Sequence, residues 1–255
     1  MDYAKLTKDL RMNMLEMAGN GASAHFGGSF SCIDFLSVLF YEYVLGRAWR
    51  LVYSKGHAEV ALYSLLGQAK MIEPDRGLKQ FQSLLQGHPS RHWIPALTYS
   101  AGSLGQGLSF ALGMAVCGYQ DGFHVAAVLG DGELQEGQVW EAAICAARHH
   151  TENLTVFVDC NHMQLTGRIP VLSDLQRLSS IWAAMGWHTR VIHGHDFEEI
   201  QDALTWSTLL HDKPKIIFAD TVKGKGIRFM ENDPAFHCSC LTRAELQAAK
   251  QELLS

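Results

Sequence analysis

Asp131 and Asn161, thirty positions apart, each stand just after an apolar run in which a buried strand should end. The first run is Val125-Ala-Ala-Val-Leu129, closed by Gly130-Asp131-Gly132; the second is Leu154-Thr-Val-Phe-Val158, closed by Asp159-Cys160-Asn161-His162. Between them, Glu136 to His150 has the length and Ala-rich apolar spacing of a helix, which makes a βαβ unit. Parallel neighbours lie about 4.8 Å apart. Asp131 and Asn161 are therefore expected side by side at the carboxyl edge of one sheet, where open α/β sheets bind ligands. Two hard oxygen ligands facing one point suit Mg²⁺ or Ca²⁺, and Mg²⁺ draws most of its remaining shell from water and substrate phosphates.

Gly132 fits the same chemistry. Without a Cβ, it lets a phosphate approach backbone N–H groups at the start of the following helix, whose dipole favours an anion. Taken alone, Gly-Asp-Gly reads more simply as a strand-ending turn; the second cluster in the matching place shifts the balance. Histidines add to it. Thirteen in 255 residues is a high count; His25, His57 and His88 stand near glycine in expected loops, and His237 follows a long polar loop. Those four are expected to gather over the metal edge. His92, His124, His149, His150, His188, His193 and His211 read as structural groups, and His195, in Gly194-His195-Asp196, as a residue ordering a strand-to-helix turn.

The elements that must position these groups alternate. Ser29 or Ser31 can cap a helix through Leu45, with Asp34 near its first turn. Arg50 to Tyr53 forms a short strand ending at Ser54-Lys-Gly-His57. A helix runs from near Ser103 to Cys117, ahead of the βαβ unit; a strand at His188 to Ile192, a helix from Phe197 to Leu209 and a strand at Lys215 to Ala219 follow. This alternation predicts an α/β fold, a parallel sheet with helices on both faces, and right-handed crossovers. With 47% hydrophobic residues and no linker-like segment, residues 1–255 read as one domain.

Composition excludes several classes. A net charge of −5 leaves no basic footprint for nucleic acid. No apolar run reaches about 18 residues, and the first ten residues lack the apolar core of a signal peptide, so a cytoplasmic location is expected, with no membrane contact. Six cysteines show no disulfide framework; Cys238-Ser-Cys240 resembles half of a zinc site without a second pair.

Taken together, Gly130-Asp131-Gly132 with Asn161 resembles the thiamine diphosphate signature. The stretches Gly-Asp-Gly-Glu-Leu-Gln-Glu-Gly137, Ser-Lys-Gly-His57, Gly102-Ser-Leu-Gly-Gln-Gly107, Ala219-Asp-Thr-Val-Lys-Gly-Lys-Gly226 and Phe229-Met-Glu-Asn232 resemble transketolases along essentially the whole chain. The likeness is to the N-terminal, diphosphate-binding half, as in split transketolases whose halves are separate polypeptides. Ala24, where a glycine is frequent, and Ser103, where many members have proline, depart from the pattern and bear on loop shape.

The resemblance implies thiamine diphosphate and Mg²⁺ (or Ca²⁺) as cofactors, and roles for individual residues. Asp131 and Asn161 would coordinate the metal, with the Met163 carbonyl as third protein ligand. His57, Gly130, Gly132, Glu133 and His237 would surround the diphosphate, Leu165 the thiazolium, and Gly102 and Leu104 the neighbouring loop near the cofactor rings. His25, His88 and His237 would contact substrate, and Glu136 would connect two active sites across a dimer. The implied reaction transfers a two-carbon ketol unit from a ketose, or its phosphate, to an aldose. The glutamate that activates the cofactor's pyrimidine belongs, in the family, to the other half. The implied partner is a C-terminal transketolase subunit carrying the pyrimidine-binding domain, in an α₂β₂ assembly, and this chain by itself is expected to be inactive. Two alternatives stand beside this reading: a related thiamine diphosphate synthase, of the dihydroxyacetone or 1-deoxyxylulose 5-phosphate type, and a non-catalytic phosphate-binding α/β module.

Overall fold

The computed structural model describes residues 1–19, 21–73, 77–169 and 174–254. In chain order the elements are α1 (Tyr3–Met17), α2 (Phe26–Leu39, running into a wider turn at Phe40–Val44), β1 (Trp49–Tyr53), α3 (Glu59–Gln68), α4 (Gln106–Gly118), β2 (His124–Gly130), α5 (Gly137–Arg148) and β3 (Leu154–Cys160). A two-residue hairpin, β4 (Met163–Gln164) and β5 (Gly167–Arg168), precedes α6 (Leu175–Ala184), β6 (His188–His193), α7 (Phe197–Leu209), β7 (Lys215–Asp220) and α8 (Arg243–Leu254). Among the described residues, no helix is long and apolar enough to cross a membrane.

The five long strands form one parallel sheet in the order β1-β2-β3-β7-β6. Strand side chains alternate between faces, and here both faces are covered. Ala126, Val128, Phe157, Ile217 and Ala219 enter a core built with α1, α2, α3 and α7. Val125, Ala127, Val156, Val158, Ile216 and Phe218 enter a second core with α4, α5 and α6. The unbroken apolar strands follow from that double burial. The expected fold class is the observed one. From β3 the chain passes over α6 to the edge strand β6, then returns over α7, on the opposite face, to β7, which pairs with both β3 and β6.

Several expectations shift. α2 begins at Phe26, with His25 at its cap position, rather than at Ser29 or Ser31. Ser31 lies inside the helix, and its hydroxyl donates to Asp159 Oδ2 (2.5 Å) instead of capping. α4 begins at Gln106, after Gly105 takes φ +78°, three residues later than Ser103 suggests. α1, α3, α6 and α8 are additional to the elements expected from the sequence. In α1 the buried face includes Thr7 and Arg11 beside Leu10 and Met14, which blurs the apolar period.

Asp34 is not a helix-start charge. It sits mid-helix and buried, taking two bonds of 2.8 Å from Arg11 and one of 2.7 Å with His195 Nδ1. Burial alone would raise its pKa, but Arg11 and His195 outweigh it and hold the carboxyl well below the usual range. His195 in turn accepts from the Val222 N–H (2.9 Å), so it ties α2 to the segment after β7, while Asp196 caps α7 through Glu198 and Glu199. Asp34→Ala leaves Arg11 buried without its partner, and urea unfolding should show a loss of about 3–5 kcal/mol. Because the folded pKa is depressed, the Asp34 contribution is present above roughly pH 4, the unfolded value, and is lost as pH falls through the folded one. The wild-type and variant stabilities should therefore converge toward low pH.

Candidate active site

Parallel pairing of β2 with β3 sets Gly130 opposite Asp159, so the residues that follow both strands emerge together at the carboxyl edge. Asp131 is 5% exposed; its Oδ1 accepts from the Gly132 N–H (2.8 Å) and its Oδ2 from the His162 N–H (2.5 Å). Burial, and then the Asp159 charge, push its pKa up to about 6. An acid held in that state is stabilised as its anion by a nearby cation. Asn161 donates from Nδ2 to Asp159 Oδ2 (2.9 Å) and Ser31 Oγ (3.3 Å), which turns its Oδ1 the other way, where it accepts from the Met163 N–H (3.2 Å).

Behind this pair lies Asp159, fully buried. Lys55 Nζ pairs with its Oδ2, and Thr221 Oγ1 donates to its Oδ1 (2.5 Å). Burial opposes its ionisation, but the Lys55 charge and these bonds hold the pKa below the ordinary value. Lys55 also donates to the Gly28 carbonyl (3.0 Å), which joins β1, α2 and β3 at one point. Thermal unfolding should register Asp159→Ala strongly, because an unpaired buried Lys55 costs about 3–5 kcal/mol; an unchanged midpoint would contradict this role.

A cavity of about 360 Å³ opens over this edge, lined in part by Lys55, His57, Leu104, Gly130, Asp131, Gly132, Glu133, Asn161, Met163, Leu165, Lys223 and His237. Leu165 is 68% exposed and Leu104 37%, so apolar side chains face the opening without cover. Among the expected metal ligands, the Met163 carbonyl accepts from Lys223 Nζ (3.2 Å), so a cation there competes with that ammonium. Burial, and then Lys55, lower the Lys223 pKa to about 8.

Gly132 lies in a four-residue 3₁₀ turn, Gly132–Gln135, and α5 starts only at Gly137. Its N–H is already engaged by Asp131, and a Cβ there would meet Gln164 at an ordinary 3.5 Å. The expected phosphate seat on a helix start is thus a tight turn instead. The buried Glu133 carboxylate accepts from Ser54 Oγ (2.5 Å) and from the N–H groups of Gly105 (2.9 Å) and Gly130 (3.2 Å), so it shapes the loops at the cavity wall.

His25, His57, His88 and His237 do come together. Ring centroids lie 5.1 Å apart for His25 and His57, 5.8 Å for His25 and His88, 4.6 Å for His57 and His88, and 5.7 Å for His25 and His237. His57 and His237 line the cavity, and His25 and His88 stand beside them. Burial is the first cause that lowers His57 to about 4 and His237 to about 3; neighbouring His25 and Lys223, respectively, add to it. His88 is lowered in the same direction by burial and His25. These three rings are therefore neutral near pH 7, able to donate or accept one proton each. His25 Nδ1 is fixed by the buried Glu59 (2.6 Å). His88 comes from residues 77–105, which hold no helix or strand, so it neither follows a strand end nor directly precedes a helix start.

Two further expected site residues lie apart from the cavity lining. Gly102, at φ +138°, packs against the His88 ring, where a Cβ would come within 3.4 Å. Glu136 is exposed at the start of α5, beside Gly105. Sequence reasoning missed Lys55, Glu59, Asp159 and Lys223. A charge that ends an apolar run, as in Leu154-Thr-Val-Phe-Val-Asp159, needs a buried partner, and that signal was available.

Fold and site define an α/β domain with a ligand cavity at the carboxyl edge of a parallel sheet. Residues 3–254 match the family described as transketolase, thiamine diphosphate binding domain. The chain belongs to the transketolase family and comprises its thiamine diphosphate-binding domain. It is 35% identical to the 6-deoxy-6-sulfo-D-fructose transketolase subunit SqwG of Clostridium sp. (strain MSTE9), covering 96% of this chain and 93% of that one. It is 30% identical to one of the subunits of the apulose-4-phosphate transketolase of Phocaeicola vulgatus, over 95% of this chain and 90% of that one. A crystal structure of transketolase from Campylobacter jejuni superposes with a TM-score of 0.89 at 28% identity; the match covers 99% of this chain and 43% of the other, so the chain spans less than half of that enzyme.

Proposed function

We propose that this chain is the N-terminal subunit of a two-polypeptide transketolase, which requires a C-terminal partner carrying the pyrimidine-binding domain. The carrying observation is the meeting of Asp131 and Asn161 at one edge of a cavity whose mouth bears Leu104 and Leu165. Similarity to proteins named as transketolase subunits, over nine-tenths or more of their length, supports a split enzyme. The four gathered histidines weigh against a phosphate-binding module without catalysis.

The residues present fit the cofactor. Asp131 and the Asn161 Oδ1 would hold Mg²⁺, with the Met163 carbonyl joining once Lys223 yields it. His57, Gly132 and His237 would contact the diphosphate, and Leu165 and Leu104 would lie against the apolar ring surface. Thiamine diphosphate, when bound, supplies the carbon nucleophile that cleaves a ketose. The histidines orient donor and acceptor: His25, its Nδ1 held by Glu59, presents Nε2, and His88 and His237 offer ring nitrogens to sugar hydroxyls and carbonyl oxygen. The neutral rings of His88 and His237 suit them to hold and return protons at those oxygens. Exposed Phe110, Val116 and Ile144 on α4 and α5 support an apolar contact with a second chain, in keeping with an α₂β₂ assembly in which Glu136, at the start of α5, connects the two sites. Six unpaired cysteines support a cytoplasmic location.

His25→Ala and His88→Ala should keep thiamine diphosphate affinity but lower turnover by roughly 10²-fold or more. Steady-state kinetics of the assembled enzyme with a ketose donor, beside calorimetric titration of the cofactor, separates the two effects. Wild-type turnover in both variants would return these histidines to a structural role.

A further inference from the structure

We propose that His25, His57 and His88 form a three-nitrogen site for a borderline transition-metal cation, of which Zn²⁺ is the natural candidate, and that its occupation blocks the sugar channel. One nitrogen from each ring lies within 4.8 Å of the other two. The His57 and His88 Nε2 atoms face each other at 3.3 Å. Tetrahedral Zn²⁺ with Zn–N bonds of about 2.05 Å places its nitrogens about 3.3 Å apart. Two of the three ligands are thus already at the spacing the metal requires, and the third lies within 4.8 Å of both.

The surroundings match in chemistry as well. Metal-bound histidines commonly give their other ring nitrogen to a carboxylate that fixes the ring. His25 has that arrangement, its Nδ1 at 2.6 Å from Glu59 Oε2, with Glu59 wholly buried. A histidine binds such a metal through the lone pair of a neutral ring nitrogen. Imidazole selects Zn²⁺, Cu²⁺ or Ni²⁺ over Mg²⁺ and Ca²⁺, so this position is distinct in selectivity from the oxygen ligands Asp131 and Asn161. The buried Glu59 carboxylate also compensates part of the added charge, although Lys79, 3.7 Å from its Oε1, shares it.

Co²⁺ titration of the purified chain tests the site directly, without activity. The expected result is one saturable equivalent, with visible absorption of a low-coordinate nitrogen site and no thiolate charge-transfer band, displaced by Zn²⁺ and indifferent to excess Mg²⁺. His57→Gln and His88→Gln should each weaken Co²⁺ by about 10-fold or more, and Glu59→Gln, acting through His25, by about 10-fold to 100-fold; native far-UV dichroism keeps each variant interpretable. The absence of a saturable equivalent, or unchanged affinity in folded His57→Gln and His88→Gln, overturns the proposal. So does a thiolate band, which assigns the metal to the exposed Cys238 and Cys240. The inhibitory consequence rests on the ketol-transfer reading: in the assembled enzyme, preloaded with thiamine diphosphate, Zn²⁺ should raise the apparent KM for the sugar donor. A failed titration refutes the metal site alone. Metal binding without competition against sugar refutes the inhibition.

Discussion

Replacing Asp131 with alanine should abolish Mg²⁺-dependent thiamine diphosphate binding, an affinity loss of more than about 10²-fold, while leaving the protein folded. Both halves of this expectation follow from the geometry. Burial and the Asp159 charge raise the Asp131 pKa to about 6, so in the free protein its ionised form is held at an electrostatic cost that the Gly132 and His162 N–H groups offset only in part. Removing the carboxylate relieves that cost and should change stability little. Binding is different: truncating one member of a buried charge pairing costs about 2–5 kcal/mol, and here the missing charge leaves a diphosphate and its metal uncompensated. Calorimetric titration with cofactor and Mg²⁺, alongside thermal unfolding, measures the two separately. Wild-type affinity in the variant would remove Asp131 from the metal site; a collapsed midpoint would show it to be a structural residue instead.

The pairing of Asp131 with Asn161 is legible in the sequence because it needs only two facts: strands that end in polar clusters, and a helix-length crossover between them. Parallel register then does the rest, and Gly130 opposite Asp159 is its outcome. α7 matches its expected bounds, Phe197–Leu209, because an acidic cap and a regular apolar face coincide there. The four histidines gather as expected, but His88 does so with neither a strand end nor a helix start to carry it. It arrives on an irregular segment whose path depends on tertiary contacts such as Gly102 against its ring. Asp34 illustrates a second limit. Its position suggests a helix start, yet its partners, Arg11 and His195, lie 23 and 161 positions away. No local pattern carries a contact of that range. Lys223 is a third case, since its bond to the Met163 carbonyl joins the segment after β7 to the β4 strand.

The largest expected effect concerns the assembled enzyme. On the split-enzyme reading, this chain contributes the metal and diphosphate side of a cavity whose apolar mouth, Leu104 and Leu165, is uncovered, and whose exposed helical residues Phe110, Val116 and Ile144 are suited to another chain. Obligate interfaces of this sort bury roughly 2,000 Å² or more and are strongly apolar. Without the partner, the cofactor lacks the second wall and the carboxylate that activates it, and binding energy at this half alone does not lower the barrier to transfer. The most direct measurement is therefore ketol transfer from a ketose donor to an aldose acceptor, assayed with the purified chain alone and then with its C-terminal partner added, at saturating thiamine diphosphate and Mg²⁺. No transfer by the chain alone is expected at any cofactor concentration, with activity rising on addition of partner to a stoichiometric plateau. Robust transfer by this polypeptide by itself, with mass spectrometry excluding a co-purified partner, would contradict the split-enzyme reading.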